Sequence, residues 1–167
     1  ATVHRSVEIH TRGLDLREAF RPPPGTVRFM DAETAHSVIP PLWERYRRTR
    51  SAEVTRTPTW HEFLLRRWSL PDGDASPVHF LRHADGYAAY RVAGRWNEGF
   101  PEHELRLLEL VAVTPDAHAA LWSTLLGVDL VARIVSHCVP DDDPLPYLLP
   151  DPRAVRTVAL NDGIWVN

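Results

Sequence analysis

Residues 105–116 constrain the fold more than any other stretch. Leu105 to Val113 reads LRLLELVAV, an apolar run broken only by Arg106 and Glu109. That pattern suits a central strand with cover on both faces. Thr114-Pro115-Asp116 follows at once and carries three agreeing helix-start cues. The hydroxyl can accept from a free first-turn amide, proline suits the first helical position, and an acid suits the positive helix end. The helix so begun carries Leu121, Trp122, Leu125 and Leu126, and Gly127 ends it. A central strand running straight into a capped helix requires a layered α/β architecture.

The remaining elements arrange themselves around that unit. Thr2 to Ile9 partly alternates, is rich in β-branched residues, and reads as a strand. Residues 15–25 end in Arg21-Pro22-Pro23-Pro24-Gly25 and read as a linker, so residues 1–14 read as the last strand of a preceding domain. Thr26 to Met30 reads as a short strand, and Asp31 caps a helix over 32–48 with an expected break at Pro40-Pro41. Thr57-Pro58 starts a second helix, with Trp60, Phe63, Leu64 and Trp68 on one stripe. Val78–Arg82 and Tyr87–Val92 flank His83-Ala84-Asp85-Gly86, where Asp-Gly signals a hairpin. A polar loop spans 93–103. Leu130–Cys138 is a further strand, Leu145–Leu149 a short helical turn, and Ala154–Leu160 with Ile164–Val166 a last hairpin across Asn161-Asp162-Gly163.

Composition removes several classes of function. The 167 residues, 44% hydrophobic and 25% charged, suit a water-soluble domain with room for a real core. A net charge of −3 gives no basic face for nucleic acid or anionic lipid. No apolar run approaches the roughly 20 residues of a spanning helix, and Ala1-Thr2-Val3-His4-Arg5 is no signal peptide. The absent initiator methionine reads as a trimmed or excised chain. Cys138 is the single cysteine, which excludes an internal disulfide and points to a reducing, cytoplasmic setting. All 19 basic residues are arginine, so no lysine can act as base or Schiff-base former.

The element order resembles the GNAT (GCN5-related N-acetyltransferase) fold, a mixed central sheet flanked by helices. Local wording is more specific. DGYAAYRV, ELVAVTPDAHAALWSTLLGVDLVARI, DDDPLPYLLPDPRAVRTV and NDGIWV resemble the central domain of the Eis (enhanced intracellular survival) aminoglycoside N-acetyltransferases. PPLWERYRRTR and TPTWHEFLL resemble that domain's first two helices. The resemblance covers about the whole chain. It implies a three-part parent protein: a first GNAT domain holding acetyl-CoA, a second GNAT-like domain without that site, and a third domain whose terminal carboxylate acts as base. On that map residues 26–167 are the central domain. The general-acid tyrosine would lie upstream of Ala1, and Asn167 would sit at the junction to the third domain. The family's assembly implies a homo-oligomer, trimer or hexamer.

A working GNAT cradles the coenzyme pyrophosphate on glycine-rich amides at the start of the helix after the central strand. Here that junction reads Val113-Thr114-Pro115-Asp116-Ala117-His118, without glycine, with one donor removed by Pro115 and a like charge added by Asp116. Plain helix capping accounts for the same residues, and no cofactor is expected in this chain.

Other candidates divide between packing and function. Trp60 shares a stripe with Phe63 and Leu64 and reads as core; the resemblance implies that it lines the acceptor pocket, where its ring can face an ammonium group. Asp162 reads equally as type I′ turn chemistry and, by resemblance, as an acid facing a cationic substrate. Ala159 stands where the family often has an aromatic residue, which widens the expected pocket. His137 and Cys138 point to opposite faces of a strand, so Cys138 reads as a buried structural thiol. No metal-binding spacing is present. Arg45, Arg47, Arg48 and Arg50 read as a solvated helix end, and Asp141–Asp143 as a capped loop.

These readings converge on a non-catalytic central module of an acetyl-CoA-dependent N-acetyltransferase for aminoglycoside-type amines, inactive alone, with Trp60 and Asp162 lining the pocket. The competing expectations are a self-sufficient small GNAT enzyme and a pure scaffold or oligomerisation domain.

Overall fold

The computed structural model describes residues 3–51 and 53–162, the side chain of Asp162 excepted. Among the described residues, nine strands and four α-helices follow in chain order. They are β1 (Val3–His10), β2 (Arg28–Met30), α1 (Ala32–Arg47), α2 (Pro58–Ser69), β3 (His79–His83), β4 (Gly86–Ala93), β5 (Trp96–Asn97), β6 (Phe100–Pro101) and β7 (His103–Ala112). Then come α3 (Pro115–Leu126), β8 (Val131–Pro140), α4 (Leu145–Leu148) and β9 (Val155–Asp162). Seven strands form one mixed sheet in the order β2-β3-β4-β7-β8-β1-β9, and β5-β6 is a separate two-strand ribbon. The apolar strand β7 is the middle strand of seven, as its sequence predicts.

Two cores lie on opposite faces of the sheet. On one, α3 and α4 bury Leu121, Trp122, Leu125 and Leu145 against Ile9, Leu105 and Ile134. On the other, α1 and α2 bury Ile39, Trp43, Tyr46, Leu65 and Trp68 against Phe80, Tyr87 and Val111. Helices α1, α2 and α3 each start on a side-chain cap. Asp31, Thr57 and Thr114 accept from the amides of Thr34, Trp60 and Ala117 respectively, satisfying donors that a helix start otherwise leaves open.

Several expectations change in three dimensions. Residues 1–14 read as part of a preceding domain, yet β1 lies inside this sheet, paired with β8 on one edge and β9 on the other. Its buried Val7 and Ile9 need neighbours on both sides. The stretch read as linker is partly tied down as well, because Leu16 is buried and Arg17 donates to the Leu149 carbonyl. The break at Pro40-Pro41 does not occur. Helix α1 runs through both prolines, held to the sheet by buried residues on either side of them. The β3–β4 turn falls on Ala84-Asp85, with His83 paired to Gly86, so Gly86 is already strand. The expected strand at Ile164–Val166 lies outside the described residues, while Asn161 and Asp162 belong to β9, opposite His4 and Val3.

Gly86 is needed for close approach rather than for a turn. A Cβ there would stand 2.6 Å from the Val111 carbonyl oxygen and 3.1 Å from Leu121 Cδ1. The first neighbour is backbone of the central strand and cannot yield cheaply. Gly86→Ala is therefore expected to destabilise the domain by about 1–3 kcal/mol, read as a lowered Tm; an unchanged Tm would contradict this packing.

Candidate functional site

The parallel pair β7–β8 shapes the site. Its register runs from His103 opposite Val131 to Leu107 opposite Ser136 and ends there. Beyond that point Leu108–Val111 and His137–Pro140 no longer pair with each other, and residues of both segments line a cleft of about 760 Å³. The loop and helices on the α1/α2 face form its other walls, including Trp43, Tyr46, Arg56, Trp60 and Leu64. That volume is ample for a small-molecule ligand.

A β-bulge supplies the polar floor. Ala89 pairs with Glu109 and Tyr90 with Leu107, so Leu108 is the extra residue. The bulge turns Glu109 onto the α1/α2 face, where uninterrupted alternation from Leu107 would send it toward α3. Arg56 meets the carboxylate at two points, Nη2 to Oε1 at 2.6 Å and Nη1 to Oε2 at 3.2 Å. The fully buried Tyr87 donates its hydroxyl to Oε2 at 2.7 Å. The guanidinium carbon of Arg56 lies 3.3 Å from the centre of the Trp43 ring. Trp43 is fixed in turn by its indole N–H, which donates to the Val54 carbonyl at 3.2 Å.

The acid–base character of the cleft follows from burial. Burial pushes the Tyr46 phenol up to about 12. Burial, then the charge of Glu109, holds Tyr87 well above the usual phenol range. Burial and the nearby Arg56 hold His61 below its usual value and therefore neutral. The Cys138 thiol is pushed up by partial desolvation at the cleft wall and by the charge of Glu109. These shifts keep the groups neutral, and the charges of the floor are those of Arg56 and Glu109, which are paired to each other.

Helix α2 differs from its sequence reading. Its buried stripe is His61, Leu65 and Trp68. Trp60 and Phe63 are 51% and 52% exposed, with ring centres 5.6 Å apart, and Trp60 stands on the rim of the cleft. Trp60 is therefore a cleft residue and not a core residue. Asp162 lies at the end of β9, opposite Val3 on β1, next to the His4–Pro140 pair. Its backbone thus sits at the end of the sheet on which the cleft opens. Cys138 is exposed to the cleft rather than buried, and His137 is tied instead to Ser6 at 3.2 Å.

The junction where a coenzyme pyrophosphate would rest does not fit one. The Thr114 hydroxyl already accepts the Ala117 amide at 3.2 Å, Pro115 has no donor, and Asp116 is an exposed acid in the first turn. A second acid stands near, since Asp143 meets His118 Nε2 at 3.0 Å. An anion there would meet like charge with few amides to receive it. The other charge clusters are spent in pairs. Arg47 and Arg48 bind Glu44, Arg45 binds Asp85, and Arg50 binds Asp142.

Three polar residues of the structure carry no sequence signal. Glu109 lies within an apolar strand, Arg56 in a loop 53 residues away, and the buried Arg91 donates to the carbonyls of Trp68, Leu70 and Ser76. Only the two interruptions of LRLLELVAV hinted that one of its side chains has a polar partner.

The single thiol offers a test of this cleft. Because its pKa is raised, thiolate appears later as pH rises. The rate of Cys138 alkylation by iodoacetamide is expected to have its midpoint above about 8.5, the value for a free cysteine. A midpoint at or below that value would contradict the described surroundings.

Comparison with known proteins agrees with this geometry. Residues 52–161 match the family described as an acetyltransferase (GNAT) domain. The chain is 40% identical over 128 residues to the N-acetyltransferase Eis of Mycobacterium tuberculosis, covering 75% of this chain and 30% of that protein. It is 30% identical over 175 residues to an uncharacterized N-acetyltransferase of Streptomyces avermitilis, covering 96% of this chain and 40% of the relative. The structure of Eis1 from Mycobacterium abscessus superposes with a TM-score of 0.79 at 28% identity, over 99% of this chain and 41% of that one. The chain thus spans about a third to two fifths of the length of the relatives it matches. With the mixed sheet, the family match and these relatives in agreement, the chain belongs to the GNAT acetyltransferases, in the Eis family.

Proposed function

We propose that this chain is the central, non-catalytic module of an acetyl-CoA-dependent N-acetyltransferase, and that it forms one wall of the pocket for a cationic, aminoglycoside-type amine. The observation that carries this reading is the Trp60 ring on the cleft rim, exposed beside Phe63 although α2 has a buried stripe of its own. An exposed aromatic ring on a cleft rim suits stacking on a sugar or an ammonium group.

Three further features support it. The start of α3 is capped where a pyrophosphate cradle is required. The phenols and thiol of the cleft are held neutral rather than activated. The matched relatives are more than twice as long as this chain, which leaves room for a separate domain that holds acetyl-CoA. In the intact protein, an amine would attack the thioester of acetyl-CoA bound upstream, while this module orients the amine. Asp162 would add a carboxylate at the same end of the sheet, β1 would be the entry from the upstream domain, and the subunits would assemble as a trimer or hexamer.

Two measurements test the reading. Calorimetric titration of this chain with acetyl-CoA is expected to give no heat; micromolar binding would favour a self-sufficient small GNAT enzyme instead. In the intact protein, Trp60→Ala is expected to raise KM for a cationic amine about 3- to 30-fold with little change in kcat, the loss of one cation–π contact. Asp162→Asn should move KM in the same direction. If both variants fold and keep parental kinetics, only a scaffold role survives.

A further inference from the structure

We propose that Trp43, Tyr87 and Glu109 form a cation cage whose resident guest is Arg56 of the same chain, and that this guest closes the floor of the cleft, so that a cationic substrate is met at the Trp60 rim. The components of a guanidinium site are all present. A flat ring lies 3.3 Å from the guanidinium carbon, a carboxylate takes two of its N–H groups, and a buried phenol holds that carboxylate in place. The Arg56 and Glu109 side chains are only 12% and 15% exposed. The Leu108 bulge aims Glu109 into this site.

The place of Arg56 in the chain completes the case. It belongs neither to a helix nor to a strand, and it stands immediately before the Thr57 cap of α2. A second cavity of about 450 Å³, lined by Glu44 and His61 among others, adjoins the cleft. Trp43 and Arg56 are the two residues that line both. Arg56, stacked on Trp43, therefore stands where the two cavities meet, and its removal leaves the cleft-lining Glu109 without its cationic partner. A buried carboxylate without its partner is costly. An emptied cage should thus recruit a cation from solution, and a planar guanidinium suits it better than a compact ammonium because it can stack and bind at two points.

Calling Arg56 the determinant of cleft depth rests on the acceptor-pocket reading. The cage does not, and its test needs no acetyl transfer, so the two can fail separately. The experiment is chemical rescue of Arg56→Ala in the intact protein by 1-propylguanidinium. At ten times its Kd, the ligand is expected to raise the Tm of the variant by about 1–3 °C. The parent protein, in which the cage is already filled, should show no shift, and 1-propylammonium should give a smaller one. Adding Glu109→Gln to the variant should abolish the rescue. If Arg56→Ala does not fold alone, it is refolded with and without 1-propylguanidinium, and recovery of folded protein only with the ligand is the expected rescue. Rescue absent from the variant, or equal in parent and variant, would overturn the cage.

Discussion

Two parallel strands that begin side by side and then part set the terms for the rest of the molecule. β7 and β8 are bonded only as far as Leu107 and Ser136. Past that point the polar backbone and apolar side chains of both strands need other neighbours, because unpaired backbone in a core is costly. Helices α1 and α2 cover the gap on one face, and what they leave open is the cleft. The bulge at Leu108 then turns a carboxylate into that gap. A charge in such a place demands a partner, and Arg56 supplies it. The ion pair fixes the loop before α2, the Trp43 ring holds the arginine flat, and the start of α2 is placed with Trp60 at the rim.

On the opposite face the strand–helix junction is occupied in a different way. The amides that an anion-binding helix start would offer are partly taken by Thr114, and acids surround them. His118 and Asp143, both nearly buried, join α3 to the loop that leads into α4, while Asp143 also accepts the Leu145 amide. The fold keeps its frame at this junction with caps and ion pairs suited to packing. Chemistry that needs a bound anion has no support there, whereas the cleft on the other face offers an aromatic rim and a charged floor.

Much of this frame is written locally and could be read. LRLLELVAV, Thr114-Pro115-Asp116 and the Thr57-Pro58 start appear in the structure as the central strand and two capped helices. The wording of several segments pointed to the Eis family, and the matched relatives agree. What stayed hidden depends on distant residues. The place of β1 is decided by pairing with residues more than 120 positions away. Within an apolar run, a one-residue bulge leaves no mark, so the direction of Glu109 could not be read. In α2, aromatic residues lie on both faces, and the sequence stripe chose Trp60 and Phe63 where the fold buries His61 and Leu65. Pro40-Pro41 read as a break because proline removes helix donors, yet burial of Ile39, Leu42 and Trp43 outweighed that loss.

The central claim is a division of labour, with the acceptor held against this module and the coenzyme bound elsewhere. A crystal structure of the intact protein with both acetyl-CoA and a cationic amine tests it most directly. The account predicts the amine in contact with the Trp60 ring, Arg56 still seated on Trp43 and Glu109, and no coenzyme at Thr114-Pro115-Asp116. A pyrophosphate bound at that junction, or an amine whose contacts avoid Trp60 and the cleft altogether, would contradict it.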